Sequence, residues 1–378
     1  MMRLVHLSDL HLGYRAYNRV NTAGLNQREA DVFRVFREAL GKVVELQPDL
    51  VLIAGDMFHV VRPSNLTIQH TFRELAGLVG KLEVPIVIIG GNHDSPRSAD
   101  TGCILDILTN LPGIHVAHSE YVQVKLDNLD TSVFCLSHRA LPDVTNFKIE
   151  PDPSSKRNVL LAHGTVEGVI KQAGDIYQLS PSQVIKDDWD YIAFGHYHSY
   201  TQLAENAYYS GSLEYTSSNI WSEIKTPKGF IEYDLDDRKL VNFHKSQPRD
   251  VIDIRPIDAT GLTADELNTM IANRIEGVEG GHRNKIIRLI IDNIPRSVQV
   301  DLDFEFIRTI RSEALHFDFQ TRSPLRSKRL QDKSGPTVSR SLEDEWDDFV
   351  KAYDMPGGVD REALRNLGRD YINKQSGE

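Results

Sequence analysis

The sequence predicts an α/β protein of stacked layers, and three observations carry that prediction. Short apolar runs end abruptly on Asp, Asn or His, helical stripes lie between the first of them, and a β-α-β-α-β alternation follows Lys245. Runs that are apolar at every position suit strands covered on both faces, because a strand with one wet face alternates.

Taken in order, "RLVHLSDLH" is a strand ending on Asp9 and His11. From Gln27 to Leu46, Phe33, Phe36, Leu40, Val43 and Val44 form one helical stripe. "DLVLIAGD" is a second strand, ending on Asp56, and residues 66–82 repeat the helical pattern with Phe72, Leu75, Leu78 and Val79. Further strands end on Asn92 and His93 in "VPIVIIGGNHD", on His163 in "NVLLAHG", and on His196 and His198 in "DYIAFGHYH". The glycines of "GGNHD" let the backbone turn tightly beneath its polar tip. Past Lys245, "DVIDIRPI", "NKIIRLIID" and "LHFDFQT" read as strands, with helices over residues 263–275 and in "DFEFIRTIRSEA" between them. "RSPLRSKRLQDKSGP" reads as a linker whose basic run, residues 322–329, is read as solvated, with a DNA-tracking patch as the alternative. In the tail, Leu342, Trp346, Phe349, Val350 and Tyr353 fall at helical spacing, followed by a second helix with Leu364, Leu367 and Tyr371.

Composition narrows the function classes. The 378 residues, 40% hydrophobic and 26% charged, describe a soluble globular chain long enough for two or three domains. No apolar run approaches the ~18 residues of a membrane span. The start lacks a secretory apolar segment, and Cys103 and Cys135 form no metal-type pair, so a cytoplasmic location is expected. A net charge of −11 argues against nucleic acid unless the site imports positive charge as metal ions.

The strand tips supply that possibility. Polar residues at the carboxyl ends of neighbouring strands converge, which would bring together Asp9, His11, Asp56, Asn92, His163, His196 and His198. Seven such donors are too many for one tetrahedral zinc and enough for two ions sharing a carboxylate. Mixed imidazole and carboxylate ligation suits manganese, iron or zinc better than magnesium. His93, beside Asn92, stands where it can protonate a leaving alkoxide. Asp94 is read as an orienter of its neighbours, and His115, His244 and the pair His138 and Arg139 as structural.

The ordered series D-x-H, GD, GNHD, HG and GHxH resembles the calcineurin-like metallophosphoesterase superfamily over residues 3–215. More narrowly, "SDLHLGY", "QREADVF", "GDMFHVVRPSNLT" and "YSGSLEYTS" resemble the SbcD family, bacterial counterparts of the meiotic recombination nuclease. The resemblance implies a β-sandwich flanked by helices over residues 1–245, a small α+β capping domain over 246–321, a linker over 322–336, and a helical ATPase-binding segment over 337–378. It implies two manganese ions, one held by Asp9, His11, Asp56 and His198, the other by Asp56, Asn92, His163 and His196. His93 would be catalytic, with His59 near the scissile phosphate. Family members commonly carry Pro where this chain has Ser210.

The activity implied is that of a DNA nuclease, a 3′–5′ double-strand exonuclease and single-strand endonuclease. It would act in end processing, repair, recombination or defence. The chain carries no P-loop motif, so ATP dependence would come from a partner, an SbcC-like SMC-type ATPase bound through the C-terminal helices. A homodimer would form through Phe72, Leu75, Leu78 and Val79 with Ile104, Leu105 and Leu108; the competing assignment packs them on the sheet. Two other functions compete: a small-molecule or phosphoprotein phosphoesterase, and a metal-free scaffold. The complete donor set argues against the scaffold, and the extra domain and tail against a compact phosphatase.

Overall fold

The computed structural model describes residues 2–96, 101–168, 177–324, 342–352 and 360–375. Met1–Pro324 is one compact unit and Leu325–Glu378 a second. In the first unit, β1 (Arg3–Leu7), β2 (Leu50–Ile53), β3 (Ile86–Ile89) and β4 (Ile114–Ala117) run parallel. The chain then enters a second sheet through β5 (Tyr121–Leu126), β6 (Thr131–Leu136) and β7 (Arg157–His163). After a small pair, β8 (Thr165–Val166) with β9 (Gln178–Leu179), that sheet continues through β10 (Tyr191–Gly195), β11 (Thr201–Ala204) and β12 (Ala207–Tyr209). The hairpin of β13 (Gly229–Asp234) and β14 (Lys239–Lys245) returns to the first sheet. The two six-stranded orders are β14-β13-β1-β2-β3-β4 and β11-β12-β10-β7-β6-β5.

Period-two alternation explains the unbroken apolar runs. Leu4, Leu50, Leu52, Val87 and Ile89 point inward against Val133, Val159, Leu161 and Ala193 of the second sheet. Val5, Leu7, Val51, Ile53 and Ile88 point outward into a separate core with Phe33, Phe36, Leu40 and Leu75. Those last residues come from helices α1 (Gln27–Leu46) and α2 (Asn65–Val79). Asn26 accepts from the N–H groups of Arg28 and Glu29, and Ser64 from that of Thr67, satisfying donors at each helix start. The α1 stripe therefore has the bounds its periodicity predicts.

The expected dimer patch is largely consumed by this core. Leu75, Leu78, Leu105 and Leu108 are buried within the chain, and Phe72, Val79 and Ile104 pack half-buried against them. Residues 104–110 form a 3-10 helix lying against β4. The stripe is satisfied by the chain's own sheet.

Short helices α3 (Pro181–Val184) and α4 (Ile220–Glu223) lie in loops of the sandwich. Beyond it, β15 (Val251–Asp258), β16 (Ile286–Asp292) and β17 (His316–Thr321) form a three-stranded parallel sheet. Helix α5 (Ala264–Glu276), the short α6 (Arg296–Val300) and α7 (Phe304–Glu313) provide the crossovers. Ile254, Leu289 and Phe317 pack with Leu267, Ile271 and Ile310 into a core of their own. Ile220 joins Ile286 and Leu315 in a smaller cluster between this sheet and the sandwich.

The second unit is a hairpin of α8 (Leu342–Ala352) and α9 (Arg361–Gln375). Trp346 donates its indole N–H to the Arg365 carbonyl at 3.0 Å, and Asp347 accepts from both Arg365 and Arg369. Gly368 is required here, since a Cβ would lie 2.2 Å from the Trp346 ring. The aromatic stripe is thus split: Val350 is buried and Trp346 faces α9, while Phe349, Leu367 and Tyr371 remain exposed. Tyr353 and most of the basic linker lie outside the described residues. No described helix is long and apolar enough to cross a membrane.

Candidate metal centre

The predicted ligands gather where the carboxyl ends of the two sheets meet. Asp9 and His11 follow β1, Asp56 follows β2 and Asn92 follows β3, all in the first sheet; His163 ends β7, and His196 and His198 follow β10, in the second. The approach is close enough to require glycine. A Cβ on Gly55 would lie 2.3 Å from His163 Nδ1, one on Gly91 2.1 Å from Asp56 Oδ1, and one on Gly195 1.8 Å from the Ala54 carbonyl oxygen. The last clash is with backbone, so Gly195→Ala should force the sheets apart and destabilise by roughly 1–3 kcal/mol or more, measured by urea unfolding.

All seven residues are brought together. Asp56 Oδ2 lies 3.7 Å from His11 Nε2 and 3.5 Å from His163 Nε2. Asn92 Oδ1 lies 3.1 Å from His163 Nε2 and 2.9 Å from His196 Nδ1, and the Nε2 atoms of His11 and His198 are 3.0 Å apart. Asp9 accepts the His196 backbone N–H at 3.0 Å and the Ser8 hydroxyl at 2.6 Å. Donor atoms of Asp9, His11 and His198 lie within 4.8 Å of one another, as do those of Asp9, Asp56 and His163. The second set includes Asp9 where the resemblance has Asn92 and His196. Asp9, His11, Asp56 and His196 all have positive φ, at 52°, 46°, 49° and 99°, a conformation non-glycine residues avoid.

Charge and proton placement suit a cation. Burial holds the His11 imidazole well below its ordinary value, leaving it neutral. Burial also pulls His163 down, yet Asp56 and Asp9 outweigh it and lift the imidazole to about 9, while Asp56 is held well below the carboxylate range. The Asp56 carboxylate faces His163 Nε2 at 3.5 Å, an arrangement that a dication can share. His163 Nδ1 donates to the Ala54 carbonyl at 2.8 Å, which turns Nε2 toward Asp56 and Asn92. Imidazole nitrogens, carboxylates and one amide oxygen form a donor set that fits divalent transition ions.

His93 and His59 flank the cluster. The His93 backbone N–H donates to Asp56 Oδ1 at 2.8 Å, and its Nδ1 donates to the His59 carbonyl at 2.9 Å. The His59 ring stacks on His93 with centroids 5.1 Å apart and meets Tyr14 edge-on. Ring nitrogens of His11, His59 and His93 also lie within 4.8 Å of one another, a third grouping with metal-like spacing. Asp94 is fully buried and accepts the N–H groups of Gly91 and Met57, each at 2.8 Å, tying the Asn92 loop to the Asp56 loop. Its burial, with Asp56 nearby, raises its carboxyl to about 7.

Three side-chain roles go beyond the sequence reasoning, which takes His138 as structural and Ser210 only as a departure from the family. The His138 ring lies 6.1 Å from those of both His163 and His196, so it lines the site. The signal for it is an apolar strand ending in His, "TSVFCLSHR", the same pattern that marks the predicted ligands. Ser210 donates to Ser8 at 2.8 Å, and Ser8 donates to Asp9; a proline at 210 cannot make that chain. Behind His198, Glu223 and Lys228 form a buried ion pair. His115 and His244 lie away from the cluster, with His244 paired to Glu232 at 2.8 Å.

The chain is 30% identical over 251 residues to the DNA double-strand break repair protein Mre11 of Methanococcus maripaludis, covering 62% of this chain and 63% of that protein. It is 25% identical over 385 residues to the protein of the same name from Methanocaldococcus jannaschii, covering 99% and 91%. It is 28% identical over 276 residues to the SbcD component of the nuclease SbcCD of Staphylococcus epidermidis, covering 64% and 68%. The chain thus spans under two-thirds of the first of these relatives. Residues 2–200, more than half of the sequence, match the calcineurin-like phosphoesterase model, whose members bind divalent metals. With its sandwich and its clustered Asp and His side chains, the chain belongs to the calcineurin-like phosphoesterase family.

Proposed function

We propose that the chain is a DNA nuclease that hydrolyses phosphodiester bonds at a centre holding two manganese ions. The observation that carries this reading is the position of Asp56, whose Oδ2 stands between His11 at 3.7 Å and His163 at 3.5 Å, as a shared ligand must. The names of the Mre11 and SbcD relatives support DNA as the substrate. Asp9, His11, Asp56 and His198 would hold one ion, and Asp56, Asn92, His163 and His196 the other. When bound, such a pair supplies a Lewis acid and a water ionised near neutral pH. His93 has committed Nδ1 to the His59 carbonyl, so Nε2 is the atom left to hand a proton to the leaving alkoxide. His59, stacked beside it, would steady the ring and stand on the substrate side. The excess charge of two dications over two carboxylates draws phosphate despite the acidic chain.

The wider reading gives the protein 3′–5′ double-strand exonuclease and single-strand endonuclease activity in DNA repair and recombination, with a capping domain over residues 246–321. The tail would dock on the coiled-coil base of an SbcC-like ATPase. Phe349, Leu367 and Tyr371 are the exposed anchors that support this docking. Phe349→Ala with Tyr371→Ala should abolish capture of that ATPase while manganese-dependent cleavage of single-stranded DNA continues. A homodimer is retained as the assembly, with only the half-buried Phe72, Val79 and Ile104 of the expected patch left to form it. A monomer by light scattering at micromolar concentration counts against it.

The deciding experiment incubates the protein and manganese with labelled single- and double-stranded DNA, beside p-nitrophenyl phosphodiester and monoester. Cleavage of DNA and the diester is expected, and monoester hydrolysis alone would favour the phosphatase reading. Metal affinity should also depend on pH. Below about 9 the His163 imidazole is protonated and must lose that proton to ligate, so affinity should rise from pH 6 to 8.5, by up to about tenfold per unit. A flat profile in a chelator competition would contradict this.

A further inference from the structure

His198 is held from behind by an ion pair that the phosphoester chemistry does not use. Glu223 Oε1 lies 3.4 Å from His198 Nδ1, an ion-pair distance without hydrogen-bond alignment. Among the described residues that nitrogen has no hydrogen bond, while Nε2 points to His11 Nε2 at 3.0 Å. The other Glu223 oxygen contacts Lys228 Nζ, and Lys228 donates to the His198 carbonyl at 2.7 Å and the Ser212 hydroxyl at 2.8 Å. One buried pair therefore grips both the ring and the backbone of His198. Glu223 and Lys228 are 5% and 2% exposed, and a pair so buried contributes little stability over apolar side chains of similar size. Its presence calls for another reason. A carboxylate facing the outer nitrogen of an imidazole fixes which nitrogen keeps its lone pair and where the ring points.

We propose that Glu223, anchored by Lys228, is the positioning residue that turns His198 Nε2 toward the metal centre. The proposal rests on the reading of His198 as a ligand. Glu223 is also the last residue of α4, where Ile220 packs on Ile286 and Leu315, and the Arg288 guanidinium lies 4.5 Å from the Trp221 ring. The carboxylate is therefore fixed relative to the β15–β17 sheet as well as to the sandwich.

The test measures manganese affinity by chelator competition on the full chain, with melting in chelator as a check on folding. Glu223→Leu with Lys228→Met replaces the pair by apolar groups and should fold as the parent does, yet bind one ion roughly 10–100-fold more weakly. Glu223→Gln keeps an acceptor oxygen and should bind both ions close to wild type. His198→Ala is the reference and should weaken the same ion as the double variant. If His198→Ala binds both ions normally, the ligand reading itself fails. If it loses one ion but the double variant binds both normally, only the role of Glu223 falls. A double variant that cannot fold, or Glu223→Gln as impaired as the double variant, overturns positioning in favour of a structural or purely electrostatic role.

Discussion

Asp56→Ala should weaken both metal sites together and lower phosphodiester hydrolysis by at least ~10³-fold. The magnitude follows from the several kcal/mol that metal ions contribute to such transition states, at about 1.36 kcal/mol per decade. The breadth follows from position, because Asp56 also accepts the His93 backbone N–H and lies against His163. Asp56→Asn keeps the shape and that acceptor but loses the charge, so its metal content should fall between those of Asp56→Ala and wild type. Elemental analysis decides. One tightly held ion in a fully active enzyme would rule out a shared ligand.

Replacing His93 should separate chemistry from binding. His93→Leu removes the proposed proton donor and leaves Asp9, His11, Asp56 and the second-sheet histidines in place. Its backbone N–H still reaches Asp56, so the loop should hold its course. Cleavage is expected to drop ~10²–10⁴-fold, the usual scale for lost acid catalysis, with metal content near wild type. Loss of metal would instead give weight to the grouping of His11, His59 and His93.

The strand tips were readable because a buried strand offers no other reason to end on Asp-x-His or Asn-His-Asp. Helix α1 was readable for the complementary reason: its polar and apolar faces are cleanly separated, and Asn26 marks its start. The second sheet as a distinct layer was legible only through the family resemblance, since an apolar run on either sheet looks the same. Edge strands such as β5 and β14, half exposed, carry too weak an alternation to be seen. Glu223 and Lys228 were invisible because charged residues in a loop look like surface until the fold buries them. The contact of Trp346 with α9 carries no mark in the sequence, since an aromatic on an amphipathic helix fits a partner or a neighbouring helix equally well.

The left-handed backbone at Asp9, His11, Asp56 and His196 bears on how long the protein survives. Each such residue holds on the order of 1–3 kcal/mol of conformational strain, maintained only because the surrounding sheets over-determine it. An ion that binds only the folded chain would, at a hundred times its dissociation constant, stabilise it by about 2.7 kcal/mol. Proteases reach mainly opened chains, so a shift of that size changes steady-state abundance several-fold. Pulse proteolysis should therefore degrade the chelated protein much faster than the manganese-loaded one. Metal supply would then govern the turnover of the protein as well as its chemistry.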